Sequence, residues 1–175
     1  MHDTRKIIIH QFTCEPIGFN EPMDDTTISL YYVTEYDFAW GKTEEGYVIE
    51  AKVKAVKEPK IKYITKDFFE RIYNEFYNIN FELLVEKIKA NFDPSEADGF
   101  EIEMGIFYGY QTYTKKISFL HFYDEDELEL IKIMKTINDI KYEINYDQWY
   151  GKLRQDWQEW RNKDHETIFE DVENE

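Results

Sequence analysis

The sequence contains a single cysteine, Cys14, so no disulfide can form within the chain and a disulfide-stapled scaffold is excluded. The opening stretch Met1-His2-Asp3-Thr4-Arg5-Lys6-Ile7 has no apolar run of signal-peptide length. No window approaches the ~20 apolar residues that a membrane-spanning helix needs. The expectation from these absences is a soluble, cytoplasmic protein. Basic residues are also short, 21 against 37 acidic ones, which leaves a net charge of −16. A field of that sign repels nucleic-acid phosphates and anionic membrane surfaces and draws in basic partners. With no arginine cluster to reverse the field locally, direct nucleic-acid binding and membrane binding are both disfavoured.

Motifs of catalysis are missing as well. The chain has no GxSxG, Walker, GxGxxG, HExxH or CxxC sequence. Its histidines, His2, His10, His121 and His165, are too far apart for helical zinc-ligand spacing, so no metal or other cofactor is expected. His10 and Cys14 would form a nucleophilic pair only if the chain folded back between them, and a small buried thiol is the simpler reading. Carboxylates are so abundant that pairing two of them on paper carries no information.

What is present is enough for a packed core. Apolar residues make up 42% of the chain and aromatics 18%, with no low-complexity tract, so one well-buried domain is expected over 175 residues. Arg5 to Thr13 carries the β-branched run Ile7-Ile8-Ile9, which suits a central strand. Thr27 to Tyr36 places Ile28, Leu30, Tyr32 and Tyr36 on one face. Tyr47 to Ala55 alternates strictly, with Ile49, Ala51 and Val53 on one side and Glu50, Lys52 and Lys54 on the other. Lys52, Lys54, Lys57, Lys60, Lys62 and Lys66 then form a local basic excess. Its functional reading is an anionic-ligand patch; the preferred reading is the exposed face of an edge strand, where lysines discourage sheet-to-sheet association.

The period then changes. Thr65 or Asp67 can cap a helix whose aromatic stripe is Phe68, Phe69, Ile72, Tyr73, Phe76 and Tyr77. Asn80 can cap a second, with Phe81, Leu84, Val85, Ile88 and Phe92 at helical spacing. At Asp98-Gly99 the pattern returns to period two for a hairpin through Phe122, and the alternation slips late in its second strand, as a bulge or a doubly covered strand would produce. Asp124, Glu125, Asp126 and Glu127 precede another apolar pattern, and acids there suit the positive end of a helix dipole. Tyr146, Trp149, Tyr150, Leu153, Trp157 and Trp160 define a final amphipathic helix.

These elements predict an α+β fold with about five strands in one mainly antiparallel sheet and about four helices on one face, in the order βββ-αα-ββ-αα. The expected domain spans residues 1–163, followed by an acidic tail over 164–175. A separate small sheet for the hairpin is the alternative architecture.

For function, the composition points to a non-catalytic protein that neutralises a basic protein target, such as a nuclease or a nucleic-acid-binding protein. Asp124, Glu125, Asp126 and Glu127 are the candidate acidic surface, with Trp157 and Trp160 as candidate anchors. In general character such a chain is similar to bacterial immunity proteins, and to phage-encoded inhibitors whose carboxylates mimic DNA phosphates. That is a likeness of type, carried by no motif. Two other classes compete: a small enzyme or ligand-binding domain with its pocket between sheet and helices, and a homo-oligomeric structural protein, for instance a homodimer, using the Trp-rich helix.

Overall fold

The alternating runs of the first half, together with the hairpin after Asp98, form one antiparallel sheet. The computed structural model describes residues 3–13, 25–34, 44–54, 56–84, 98–108, 110–120 and 128–161. Its strands are β1 (Arg5–Thr13), β2 (Thr26–Val33), β3 (Gly46–Val53), β4 (Lys60–Ile64), β5 (Asp98–Tyr108) and β6 (Tyr110–Leu120). They lie in the order β4-β3-β2-β1-β5-β6, every neighbouring pair antiparallel. The first four strands are a simple meander. The hairpin joins its far side through β1, with Arg5 opposite Ile106 and Thr13 opposite Asp98, so it extends the same sheet instead of forming its own.

The helices begin where capping residues allow. α1 (Lys66–Tyr77) starts after Thr65, whose side chain accepts a hydrogen bond from the Phe68 N–H at 3.1 Å. α2, described over residues 81–84, starts after Asn80, whose side chain accepts from the Leu83 N–H at 3.0 Å. The Asn80 N–H itself donates to Glu129 at 2.9 Å. In a capping box a Glu of the same helix fills that role; here it comes from α3 (Leu128–Glu143) and holds the two helix starts together. Asn145 has φ 56°, a left-handed conformation that asparagine tolerates, and it turns the chain from α3 into α4 (Tyr146–Arg161).

All four helices share one core with one face of the sheet. Ile7 and Ile9 of β1, Ile28 and Leu30 of β2, Ile49 and Ala51 of β3, and Ile102 and Met104 of β5 are buried against Phe69, Ile72 and Phe76 of α1, Leu84 of α2, and Ile133, Ile137 and Ile140 of α3. A polar seam on the outside joins α1 to α3: Arg71 bonds Asp139 at 3.1 Å and Glu75 at 3.0 Å. The expected α+β architecture with its helices on one sheet face is therefore present.

Three details differ from the reading of the sequence. Lys60–Ile64 adds a sixth strand, β4, at the sheet edge. The lysine-bearing face of β3 is not simply solvated, since Val48 and Glu50 on it are both buried. The bulge lies earlier than the slip in alternation suggests: the register steps between Met104 and Gly105, whose partners are Lys115 and Tyr113, skipping Thr114. If β1 is the strand that unites the sheet, Ile9→Ala should cost about 3 kcal/mol of unfolding free energy, from lost transfer energy plus an uncollapsed cavity, measured by urea denaturation.

Candidate functional site

The sequence-derived site residues divide sharply. Asp124, Glu125, Asp126 and Glu127 lie outside the described residues, as do Cys14 and the expected acidic tail over 164–175. Trp157 and Trp160 are placed, at 3% and 6% exposure, with ring centroids 4.6 Å apart and both indole nitrogens sealed from solvent. They pack with Leu153 of α4 and Val53 of β3, with Val56, Trp149 and Tyr150 alongside. In this conformation they are core side chains, and neither presents a face to a partner.

The lysines over residues 52–66 do not converge on a cradle. Lys52 is exposed on the sheet face away from the helices, 3.6 Å from Glu50. Lys62 lies opposite Ile49, on the helix face, and its ammonium donates to the carbonyl of Glu143 at 2.8 Å and to that residue's carboxylate at 3.1 Å. A cation there meets the negative end of the α3 dipole, so Lys62 has a structural task. β4 is the sheet edge, as the lysine content suggested.

The most perturbed titratable groups sit where β1 meets α1. The Arg5 guanidinium bonds both oxygens of Asp3, at 3.0 and 2.7 Å, and both oxygens of Glu70, one of them at 2.9 Å. It also lies 5.2 and 4.9 Å from the ring centroids of Phe69 and Tyr73, and the Tyr47 hydroxyl donates to Asp3 at 2.7 Å. Burial works against the Asp3 charge, but the bonds from Arg5 and Tyr47 outweigh it and hold the carboxyl at about 2. Burial, then the bond to Asp3, pushes the Tyr47 hydroxyl up to about 12. The bond from Arg5 likewise lowers Glu70. Acid–base catalysis needs groups poised near the working pH, and these have been driven away from neutrality on both sides. The cluster is a clip between sheet and helix. No sequence pattern flagged it, because its members are spread from residue 3 to residue 70.

The sheet face away from the helices carries interacting polar side chains beside apolar ones, of which Val33 and Val48 are fully buried. Lys6 lies 4.7 Å from the Tyr31 ring, the Tyr31 hydroxyl donates to Glu50 at 3.1 Å, and His10 pairs with Asp25. Glu101 and Glu103 stand opposite His10 and Ile8. Alternating signs make this a poor match to a uniformly basic partner. Among the described residues there is no group of three or more His, Cys, Asp and Glu side chains that could hold a metal ion, and no helix is long and apolar enough to cross a membrane.

Large apolar side chains do reach the surface at the start of α3. Leu128 is 60% exposed and Ile131 47%. They are three residues apart and so share one side of the helix. Asp124 to Glu127 immediately precede them in the chain. The opposite side of the same turns is well anchored, with Leu130 and Ile133 in the core and Glu129 bonded to Asn80 and to Lys132. No family model, curated protein or solved structure matches the chain. Its surfaces have to be read from their own chemistry.

Two measurements check this placement. Trp157→Ala should cost about 3–5 kcal/mol in unfolding free energy, as a core truncation does; a loss under 1 kcal/mol would show the indole to be peripheral. The folded Asp3 value lies below its unfolded value of 3.8, so its contribution is complete above about pH 4 and lost as pH falls through about 2. Asp3→Asn should therefore lower stability by roughly 2 kcal/mol at pH 7, and the difference from the parent chain should vanish near pH 2 in urea titrations.

Proposed function

We propose that this is a non-catalytic acidic binding protein that neutralises a basic protein target, in the manner of a toxin-immunity protein or a DNA-mimicking inhibitor, with the start of α3 as its recognition surface. The observation that carries the reading is the exposure of Leu128 and Ile131 on a well-anchored helix, directly after four consecutive carboxylates, in a chain of net charge −16. Apolar contact supplies affinity at the centre of an interface, and surrounding charge supplies encounter rate and selectivity. Single exposed leucines are ordinary on protein surfaces. A pair on one helical side, beside a block of one charge sign, is what a basic partner with an apolar centre would fit.

The buried tryptophans are not needed for this reading. Their place as anchors passes to Leu128 and Ile131, and Trp157 and Trp160 act only through stability. Self-association through the Trp157 and Trp160 side of α4 would have to expose side chains that now cover Val53.

The test is a capture experiment from host lysate, using the parent chain and a variant with Asp124→Lys, Glu125→Lys, Asp126→Lys and Glu127→Lys. The parent should retain a basic protein at about 50 mM salt and release it at about 500 mM, as screening shortens the reach of exposed charges. The variant should retain at least tenfold less at low salt. Equal capture by both chains, or capture indifferent to salt, would remove this surface from the reading.

A further inference from the structure

Exposed apolar side chains are unevenly placed among the described residues. The large ones are Tyr77, Leu83, Leu128, Ile131 and Tyr142. The three aliphatic ones all belong to the first turns of α2 and α3, and Leu83 is 40% exposed. A side-chain bond ties those two turns together. One carboxylate oxygen of Glu129 accepts the Asn80 N–H at 2.9 Å, and the other lies 3.1 Å from the Lys132 ammonium. Asn80 caps the turn that carries Leu83, and Glu129 follows Leu128 in the chain. Phe81 and Leu84 take the core side of the α2 turn, so packing leaves Leu83 outside, as it leaves Leu128 and Ile131 outside on α3. The two tyrosines stand elsewhere: Tyr142 is in the last turn of α3, and Tyr77 ends α1, stacked on Tyr73.

We infer that Leu83 and Glu82 of α2 complete the recognition surface at the start of α3, and that the partner is a basic protein whose apolar contact residues are flanked by lysines or arginines. The inference rests on the binding function proposed above. Leu128 and Ile131 alone fall far short of the about 800 Å² that each side of a standard interface buries. A second helix start tied beside them enlarges the patch with no rearrangement. Glu82 is exposed next to Leu83, and Asp124 to Glu127 precede Leu128 in the chain, so carboxylates adjoin the aliphatic group on both helices. An apolar centre with a charged rim is the ordinary anatomy of an interface, and here the rim carries one sign. Glu129 supports this in two ways. It holds the two helix starts together, and it neutralises Lys132, which follows Ile131 and would otherwise repel a cationic partner. A second copy of the chain is a poor occupant, because it would set carboxylates against carboxylates.

The experiment measures affinity for a basic protein retained in the proposed capture experiment, using the intact chain and single variants that keep the parent's urea midpoint. Leu83→Ala and Glu82→Lys should each weaken binding at least about fivefold at low salt, the size expected of an interface contact. At about 500 mM salt the Glu82→Lys loss should shrink while the Leu83→Ala loss persists, since only the first is screened. Glu129→Gln keeps an acceptor for the Asn80 N–H but uncovers the Lys132 charge, and it should weaken binding at low salt alone. Tyr142→Ala, at a side chain 88% exposed but distant along α3, should bind as the parent does. Parent-like affinity of both α2 variants, for a protein that the chain with Asp124 to Glu127 reversed no longer binds, would overturn the composite surface and leave the proposed function standing. Retention indifferent to that reversal removes both. A parent chain that elutes as a dimer, and as a monomer after Leu83→Ala, would also overturn the inference by making a second copy the occupant.

Discussion

Burial of Ile7 and Ile9 in the middle of the sheet is the constraint on which the remaining structure depends. β1 is the one strand paired both to the local meander and to the distant hairpin, so the two halves of the sheet cohere only if it is in register with both. A shift of one residue would turn both isoleucines away from the helices and bring Lys6, Ile8 and His10 inward, which the core cannot accept. The register on each side is therefore set by the same two side chains. The Arg5 clip then fixes the end of this strand to α1, placing an ion-pair cluster where strand and helix would otherwise fray.

Much of this was legible. β1 begins and ends where its β-branched run implies, Thr65 and Asn80 cap the helices they precede, and Asp98 opens the strand after the change of period. These features are local, and local patterns are what a sequence records. β4 is the instructive exception. Ile61 and Tyr63 look like its inward residues, yet the pairing of Lys62 with Ile49 puts the lysines on the helix side. That orientation is favourable because Lys62 can reach the end of α3, eighty-one positions along the chain. Glu50 misleads for a related reason: its burial depends on the residues around it across the sheet, Tyr31 among them, and not on its own strand.

The same limit governs the candidate site. Aromatic residues at helical spacing can serve a core or a partner, and spacing does not distinguish the two. Packing does: Phe69, Phe76, Trp157 and Trp160 are enclosed, whereas Leu128 and Ile131, unremarkable in sequence, are left outside. The acidic residues before Leu128 were visible from composition, but the apolar pair beside them became a candidate only once α3 had been laid on the sheet. Burial and exposure thus fall on opposite sides of the same helix, one side held by Leu130 and Ile133 and the other carrying Leu128 and Ile131 at the surface, where the proposed recognition would occur.

Hydrogen–deuterium exchange of the chain, alone and saturated with a basic protein retained in the proposed capture experiment, tests that division most directly. The expected result is added protection concentrated over the first turns of α3, from Leu128 to about Lys135, with residues 146–160 already slow and unchanged. Protection gained over residues 146–160 instead, with the start of α3 unaffected, would contradict it.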